Sequence, residues 1–396
     1  MNDRTSRHRP RVLALVARFK WSHIDYLAAL AEQVDLWVGW SGVGHAGAPE
    51  RAVFEGIRAH GVGSLAVDGE ATVAKNLQTL VADVQPDLVH VLYYTHERLT
   101  VLARYVLGAG LPLVWECRDP ITTLEGAAPG SPAWRLEAEA IAAADGHILV
   151  SDALRRYLER SHDLDLGAAL IVPHAFAARN AGPAAAKLSA IDGRTHLALV
   201  GTADGKPGHG RYYVDVIRRL VGLGFVIHSH FHDVKGESLD PYRQLAAELD
   251  DYHQHPTVSF RDGWQLSSLT SRYDLMGVFH ELDAPQHNES QTLAVCMPTK
   301  AVSGWLHGQI PVVTLPHYRG LVERIERLGI GFVVGDWQEL SSLVGAWDRI
   351  ASATAACAEH RAEFTHEHQV GRIARFYAGM LERTAASPAR HVAAIG

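Results

Sequence analysis

Residues 85–120 read QPDLVHVLYYTHERLTVLARYVLGAGLPLVWECRDP, and this stretch indicates the fold class. It contains two short apolar runs, DLVHVLYY (87–94) and LPLVWEC (111–117), with a helical pattern between them. Nearly continuous apolar runs of this length are typical of strands that are buried on both faces of a parallel sheet. A strand, a helix and a second strand in this order predict one unit of an α/β domain.

The same alternation continues along the chain on both sides of this stretch. Helical patterns occur at 22–32 and at VAKNLQTLVADV (73–84), and short apolar runs lie between and beyond them. The remaining predicted strands of the first half are RVLALVA (11–17), VDLWVGW (34–40), SLAVD (64–68), GHILV (146–150) and ALIVP (169–173). Those of the second half are HLALVG (196–201), FVIHSHF (225–231), TVSF (257–260), YDLMGVF (273–279), IPVVTL (310–315) and GIGFVV (329–334).

The two series of strands are separated by residues 174–194, which are rich in small residues and lack a clear period, as a linker does. A chain of 396 residues also exceeds the size at which single cores stop growing. We therefore predict an α/β protein with two Rossmann-like domains facing a central cleft, over residues 1–180 and 190–360. Ligands of such domains bind outside the carboxyl ends of the strands.

The composition excludes several classes of protein. A net charge of -7 without a basic block argues against nucleic acid as a partner. No apolar run is long enough to cross a membrane, and the first residues lack the apolar core of a signal peptide. The three cysteines (Cys117, Cys296, Cys357) form no CxxC pair, which argues against structural zinc and favours a reduced, cytoplasmic location.

Lysine is scarce, with six lysines against 31 arginines among the 37 basic residues, which indicates a GC-rich, bacterial genome. Two of the six lysines lie close to a glycine or a proline at the predicted start of a structural element. Lys206 lies in the loop LVGTADGKPGHGRYY (199–213), whose glycines let the backbone approach a ligand closely. It is not a Walker loop, because Pro207 follows the lysine where serine or threonine is needed. The alternative is an ordinary flexible turn.

Lys300 lies in the segment PTKAVSGWLHG (298–308). Pro298 suits the first turn of a helix, and Gly308 suits a left-handed cap at its end. Lys300 is then in the first turn, where a cation is unfavourable against the helix dipole unless an anion binds there. The alternative is a solvated lysine.

Other candidate side chains follow predicted strands or lie along one. In the first half they are Phe19, Trp21, His23, Tyr93, Tyr94, Thr95, His96, Glu116, Arg118 and Asp119. Each of them could bind a ligand at the sheet edge, or could only cap a loop. In FVIHSHFHD (225–233), His228, His230 and His232 point to one face of a strand and could bind zinc. Their position past mid-chain, in a two-domain pattern, favours a structural role.

Six motifs in chain order resemble those of the GT-B glycosyltransferases, and most closely the family 4-like group. They are QPDLVHV, GLPLVWECRDP, GHILVSDALRRYL with ALIVPHAF, LALVGTADGKPG, PTKAVSGWLHGQIPVV and EFTHEHQVGRIARFYAGML. The resemblance implies that the last motif is a C-terminal helix, over residues 361–386, which crosses back to the first domain.

The resemblance implies transfer of a sugar from a UDP or GDP sugar to a hydroxyl or amine of a small-molecule or glycan acceptor, with retention. Lys206 and Lys300 would meet the donor diphosphate, so no metal and no other cofactor is expected. The implied donor-binding residues are Gly201, Thr202, Lys206, Arg261, Asn288, Glu289, Ser290, Thr299, Lys300 and Ser303. The implied catalytic residues are Asp119, Arg118, Glu116 and His96, and the implied acceptor-binding residues are Phe19, Trp21, His23 and Tyr93.

The chain departs from the family pattern at several of these positions. Ser303 stands where the family commonly has a ribose-binding glutamate, and Arg118 stands where many members have a histidine. Glu281 and Glu289 have the spacing of the family's glutamate pair, but they lie upstream of its place, so we interpret that spacing as coincidence. If the enzyme inverts instead, Asp119 or Glu116 is the expected base.

Two other functions remain open at this stage. One is a nucleotide-sugar 2-epimerase of the same fold, which would act without an acceptor. The other is a non-catalytic protein that binds a sugar nucleotide. An antibiotic-type small molecule is our expectation for the acceptor, which places the chain in natural product biosynthesis, and a homodimer is one option for assembly.

Overall fold

A computed structural model of the chain describes residues 9–16, 21–40, 57–92, 97–108, 110–207, 211–233, 239–257, 263–278, 292 and 294–386. For residues 21–23, 263 and 264 it describes the backbone alone. The described residues form two compact units. The first comprises the residues up to Val150, Leu154–Val172 and the segment from His366 onward, and the second comprises Ser151–Ala153 and Pro173–Thr365.

The described part of the first unit contains a parallel sheet with the strand order β3-β2-β1-β4-β5-β6-β7. Its strands are β1 (Arg11–Val16), β2 (Asp35–Trp40), β3 (Arg58–Gly61), β4 (Leu88–Leu92), β5 (Leu113–Cys117), β6 (Gly146–Leu149) and β7 (Ala169–Ile171). Its helices are α1 (Trp21–Ala31), α2 (Glu70–Val84), α3 (Glu97–Leu107), α4 (Ile121–Glu125), α5 (Pro132–Ala143) and α6 (Asp152–His162, which starts in the second unit), and the C-terminal helix His366–Ala386 returns to it.

The described part of the second unit contains a parallel sheet with the strand order β10-β9-β8-β11-β12-β13. Its strands are β8 (His196–Ala203), β9 (Val226–Asp233), β10 (Tyr252–Gln254), β11 (Leu275–Val278), β12 (Val312–Thr314) and β13 (Gly331–Val333). Its helices are α7 (Ser189–Asp192), α8 (Val214–Gly222), α9 (Asp240–Glu248), α10 (Gly263–Thr270), α11 (Thr299–Val302), α12 (Arg319–Leu328), α13 (Trp337–Ser341) and α14 (Trp347–His360). The C-terminal helix His366–Ala386 is α15.

The prediction of two Rossmann-like sheets from short apolar runs is confirmed. All five residues of β4 and all five of β5 are buried, as parallel strands covered on both faces must be. On one face of the first sheet, side chains of α1 and α15 pack on the strands, and on the other face those of α2 and α3 do so. Burial of these apolar faces is the main favourable term in folding.

One predicted strand is wrong. SLAVD (64–68) forms a turn, and the strand beside β2 is Arg58–Gly61. The turn closes because the Asp68 carboxylate accepts a hydrogen bond of 2.7 Å from the Ser64 amide, while the Asp68 amide donates to the Ser64 carbonyl. A side chain that bonds the local backbone competes with strand pairing. The predicted strand TVSF (257–260) lies almost entirely outside the described residues, and β10 ends before it at Gln254.

The strand orders locate one reversal of direction in each sheet. In the first sheet the chain runs outward from β1 to β3 and then resumes at β4, on the other side of β1. In the second sheet it runs from β8 to β10 and resumes at β11, on the other side of β8. Ligands of open parallel sheets bind outside the carboxyl ends of the strands at such points. The loops that follow β1, β4, β8 and β11 are therefore the first places to look for a site.

Candidate functional site

In the second unit, strand β8 contains a glycine in a special backbone conformation near its carboxyl end. Gly201 has φ 118°, which side-chain-bearing residues rarely adopt. A Cβ at this position would meet the Lys300 side chain at 3.9 Å, an ordinary contact distance. Backbone conformation, and not lack of space, is therefore what requires glycine here.

The loop that follows β8 folds back onto the end of the strand through Arg211. Its guanidinium Nη1 donates a 2.5 Å hydrogen bond to the hydroxyl of Thr202, which follows Gly201. The backbone closes the loop as well, because the Asp204 amide donates to the Arg211 carbonyl over 3.0 Å. Arg211 thus places a permanent positive charge at the carboxyl end of β8.

Tyr242 of α9 holds this loop in place through hydrogen bonds to its backbone. The Tyr242 hydroxyl donates to the Asp204 carbonyl over 2.8 Å and accepts from the Tyr213 amide over 3.0 Å. The Tyr213 ring stacks on Phe231 of β9, with centroids 5.1 Å apart. Tyr242 and Tyr213 are almost fully buried, so the loop is held by packed aromatic rings.

Lys300 reaches this loop from α11. Its ammonium group donates to the Tyr213 hydroxyl over 3.4 Å and lies 5.8 Å from the centroid of the same ring. Lys300 is partly exposed, whereas Ala301 and Val302 beside it are fully buried. The structure therefore brings together Gly201, Thr202 and Lys300, three of the predicted donor-binding residues, and adds Arg211 to them.

The helix that carries Lys300 differs from the prediction in two respects. Pro298 has extended φ and ψ and caps the helix from outside, so Thr299 begins it. Beyond Val302 the segment Ser303–Gly308 is a π-helical turn, and the left-handed residue is Gln309, with φ 49°, instead of Gly308. The wider π turn moves the end of the segment on by one residue, because its hydrogen bonds span five residues.

The remaining predicted donor-binding residues have varied surroundings. Ser303 is fully buried, and its hydroxyl has no hydrogen-bond partner within the described part of the chain. Lys206 is exposed on the loop, and Thr299 is exposed at the start of α11. Arg261, Asn288, Glu289 and Ser290 lie outside the described residues, as does Glu281.

In the first unit, the structure brings two predicted catalytic residues into a buried ion pair. Arg118 Nε donates to Glu116 Oε1 over 2.5 Å, with side-chain exposures of 9% and 2%. His90 of β4 lies on the other side of the carboxylate, with Nε2 3.3 Å from Glu116 Oε2, too poorly aligned for a hydrogen bond. Tyr377 of α15 completes the group, with its hydroxyl 2.6 Å from His90 Nδ1.

The ion pair determines the charge of Glu116. Burial alone raises the pKa of this carboxyl, but the Arg118 guanidinium and then His90 outweigh burial and lower the pKa to about 2. Glu116 is therefore an ionised carboxylate at neutral pH and a very weak base. Its neighbour Asp119 is half-buried, one residue beyond Arg118 at the carboxyl end of β5.

The other candidates of the first unit are described only in part. Trp21 and His23 lie in α1, and only their backbone is described. Phe19, Tyr93 and His96 lie outside the described residues, as do Tyr94 and Thr95. By sequence these residues follow β1 and β4, the two strands at the reversal of the first sheet.

The histidine row of β9 is part of a hydrogen-bonded chain. His228 contacts His196 over 2.8 Å through Nε2 and His255 over 2.9 Å through Nδ1, and His230 Nε2 contacts the Tyr273 hydroxyl over 2.8 Å. Burial, and then His255, lower the pKa of His228 to about 2 and that of His230 to about 4. Within the described residues, no group of three or more potential ligands could hold a metal ion.

Sequence reasoning missed three residues that the structure assigns to these sites. Arg211 was inside the quoted glycine loop, and its position just before the aromatic pair YY was the available signal. His90 was the single polar residue in the middle of an apolar run, which is a signal for a buried polar contact. Tyr377 gave no signal, because its partner lies 287 residues away in the chain.

Part of the chain is similar in sequence to a known protein family. Residues 8–175 match the family model described as a glycosyl transferase 4-like domain. No curated protein sequence is similar enough to this chain to count as a match. None of the described helices has the length and apolar character needed to cross a membrane.

Several solved structures share the fold. Anabaena HepE in complex with UDP and glucose is 16% identical, with TM-score 0.65 over 93% of this chain and 100% of that chain. Sucrose-phosphate synthase from Thermosynechococcus elongatus is 13% identical, with TM-score 0.62 over 96% and 100%. A protein from Listeria monocytogenes described as a candidate UDP-N-acetylglucosamine 2-epimerase is 14% identical, with TM-score 0.53 over 95% and 97%. At these identities the likeness is one of fold.

Proposed function

We propose that this chain, whose residues 8–175 form a glycosyl transferase 4-like domain and which has the GT-B fold, is a glycosyltransferase. It transfers a sugar from a nucleoside diphosphate sugar to a hydroxyl or amine of a small-molecule or glycan acceptor. One observation carries the proposal. Lys300 and Arg211 both reach the loop at the carboxyl end of β8, next to the reversal of the second sheet.

Two cations at this position suit a diphosphate. Arg211 offers a planar guanidinium that can pair with phosphate oxygens, and Lys300 offers a compact point charge. Gly201 lets the backbone approach the ligand, and Tyr242 holds the loop in place before the ligand arrives. Charges that are positioned in advance stabilise the negative charge that develops on the leaving diphosphate. Lys206 lies exposed on the same loop and adds to this charge.

The same cations support a reaction that needs no divalent metal. Magnesium in comparable reactions neutralises the charge of the leaving phosphate, and Lys300 with Arg211 can supply that charge instead. The donor in this proposal is a UDP or GDP sugar. Anabaena HepE, which shares the fold, was solved in complex with UDP and glucose, so UDP-glucose is the first donor to test.

Retention of configuration is the stereochemistry we propose. An inverting enzyme needs a general base at the acceptor, and Glu116 is unsuited to that role because its pKa is about 2 and Arg118 occupies one of its oxygens. Asp119, half-buried beside Arg118, would be the base of an inverting reaction. We place the acceptor at the carboxyl edge of the first sheet, beside Asp119 and the aromatic candidates that follow β1 and β4.

The experiment is a two-stage assay of the purified protein. A thermal-shift panel of UDP, GDP, TDP and ADP identifies the nucleotide, and nucleotide release from the corresponding sugars is then followed with and without acceptors. Release that depends on an acceptor supports the proposal. Protection by a nucleotide without release from any donor would show a non-catalytic binding protein and would overturn it.

A 2-epimerase is the second candidate, because the Listeria protein described in that way shares the fold. The two activities differ in their products. An epimerase converts a UDP-sugar with no acceptor present and yields the epimeric sugar, whereas the transferase yields a new glycoside and a nucleoside diphosphate. Proton NMR of the reaction with UDP-N-acetylglucosamine alone separates them.

A further inference from the structure

A buried polar group lies inside an otherwise apolar face of the first sheet. Leu88 and Leu92 of β4 belong to the apolar core beneath α1 and α15, and His90 lies between them on the same face. His90 is fully buried, and Glu116 on the neighbouring strand is 2% exposed. Apolar residues would fill this face at least as stably, because desolvating a buried ion pair offsets most of its attraction. Packing alone therefore does not explain the group.

The contacts of this group form a continuous path. It begins at the Tyr377 hydroxyl on α15, passes through the two nitrogens of His90 and the two oxygens of Glu116, and ends at the Arg118 guanidinium. The first and last contacts, at 2.6 Å and 2.5 Å, are hydrogen bonds. The middle one, at 3.3 Å between His90 and Glu116, is electrostatic.

The chemistry of the path determines where its protons lie. Burial, and then the charge of Glu116, raise the pKa of Tyr377 well above its usual value, so its phenol keeps its proton. The phenol can then donate to His90 Nδ1, and in a neutral imidazole this contact places the ring proton on Nε2. His90 Nε2 lies 3.3 Å from the ionised carboxylate of Glu116, whose other oxygen accepts from Arg118. The Tyr377 hydroxyl thus fixes the orientation of the His90 ring, and through it the position of the Glu116 carboxylate.

The path ends where the proposed acceptor would bind. Arg118 follows β5 at the carboxyl edge of the sheet, is 8% exposed, and precedes the half-buried Asp119. We infer that Tyr377 is a positioning residue: through His90 and Glu116 it orients Arg118 toward an oxygen of the acceptor at this edge. The inference rests on the proposed function, in which this edge binds the acceptor. It assigns a role in the site to the C-terminal helix.

The test compares two buried hydroxyls. Tyr377→Phe removes one hydroxyl and keeps the ring. Tyr252→Phe is the matched control, because Tyr252 is also almost fully buried, and its hydroxyl bonds Ser229 over 2.7 Å in the second unit. The assay uses UDP-glucose as donor and the acceptor found above. We expect Tyr377→Phe to lower kcat about tenfold, because Arg118 is no longer held in position, and to leave the Kd for UDP unchanged. The control should lose stability without losing kcat.

A double-mutant cycle tests whether Tyr377 acts through Arg118. In an Arg118→Ala background, Tyr377→Phe should cause no further loss of kcat, because the residue that it positions is already gone. Equal losses in both backgrounds, or an unchanged kcat in Tyr377→Phe, would overturn the inference.

A second readout does not depend on activity. In protein with ¹⁵N-labelled histidine, we expect the His90 ring, assigned by its loss in His90→Asn, to carry its proton on Nε2, and Tyr377→Phe to shift the Nδ1 resonance because that nitrogen loses its hydrogen-bond donor. If the wild-type protein releases no nucleotide from any donor, the proposed function fails, and this spectrum judges the path by itself. An identical His90 spectrum in wild type and Tyr377→Phe would show that the hydroxyl positions nothing.

Discussion

Lys300 donates a hydrogen bond to the Tyr213 hydroxyl over 3.4 Å, from a helix that begins 86 residues after that tyrosine in the chain. Tyr213 is itself held by Phe231 and Tyr242, so the lysine is directed by a rigid aromatic support. A flexible lysine that is held in this way loses less entropy when it binds an anion. Lys300 is therefore positioned before an anion binds.

We expect Lys300→Ala to raise the activation free energy of nucleotide release by about 3 kcal/mol, because a charge at the leaving diphosphate is lost. This corresponds to a fall in kcat on the order of a hundredfold. Lys300→Arg should also be poor, since a planar fork and a point charge do not fit one site alike. Lys75→Ala, on the exposed side of α2, is the control. Steady-state kinetics of variants with unchanged Tm measure the effect, and wild-type kcat in Lys300→Ala would contradict it.

Arg211→Ala should weaken binding of the nucleoside diphosphate. A hydrogen bond to a charged group contributes about 2 kcal/mol, which corresponds to roughly a thirtyfold rise in Kd. Arg218→Ala, which removes an exposed arginine paired with Glu248 on the surface, should change the Kd little. Isothermal titration with UDP compares the two variants. Equal affinities would show that Arg211 only closes the loop onto Thr202.

Turnover should survive the removal of divalent metals. The proposed site supplies positive charge through Lys300 and Arg211, which lie at one loop. Activity in an excess of EDTA should therefore equal activity in magnesium. Complete loss in EDTA, restored by magnesium or manganese, would show that the cations are insufficient and that a metal takes part.

Acid should destabilise the second unit through its buried histidines. His228 and His230 have pKa values of about 2 and about 4 in the folded protein, against an ordinary value of about 6.5 in the unfolded chain. Below pH 6.5 the unfolded chain binds protons that the folded chain does not, so the free energy of unfolding falls as pH falls. The loss is about 1.4 kcal/mol per pH unit for each histidine, down to its folded pKa.

Urea unfolding at a series of pH values between 4.5 and 7.5 measures this dependence. His228→Gln removes one of the two titrations, so the slope of its unfolding free energy against pH should be shallower than that of wild type. His368→Gln, on the exposed side of α15 in the first unit, is the control. Identical slopes for wild type and His228→Gln would contradict the assignment of acid sensitivity to this cluster.

The sequence by itself determined the two parallel sheets, the places of their described strands other than β3 and β10, and the position of Lys300 at a helix start. These features follow from short apolar runs and helical periods, which are local patterns. The turn at 64–68 escaped this reasoning, because the Asp68 side chain bonds the Ser64 amide and withdraws an apolar run from the sheet.

Only the tertiary structure decided which polar groups meet. Arg211 returns to Thr202 because the loop closes on the Tyr242 hydroxyl, 31 residues beyond Arg211. Tyr377 meets His90 because α15 packs on the face of the first sheet that carries that histidine. Contacts of this kind depend on where a returning helix or a closed loop comes to rest, and side-chain patterns within a single segment do not encode that position.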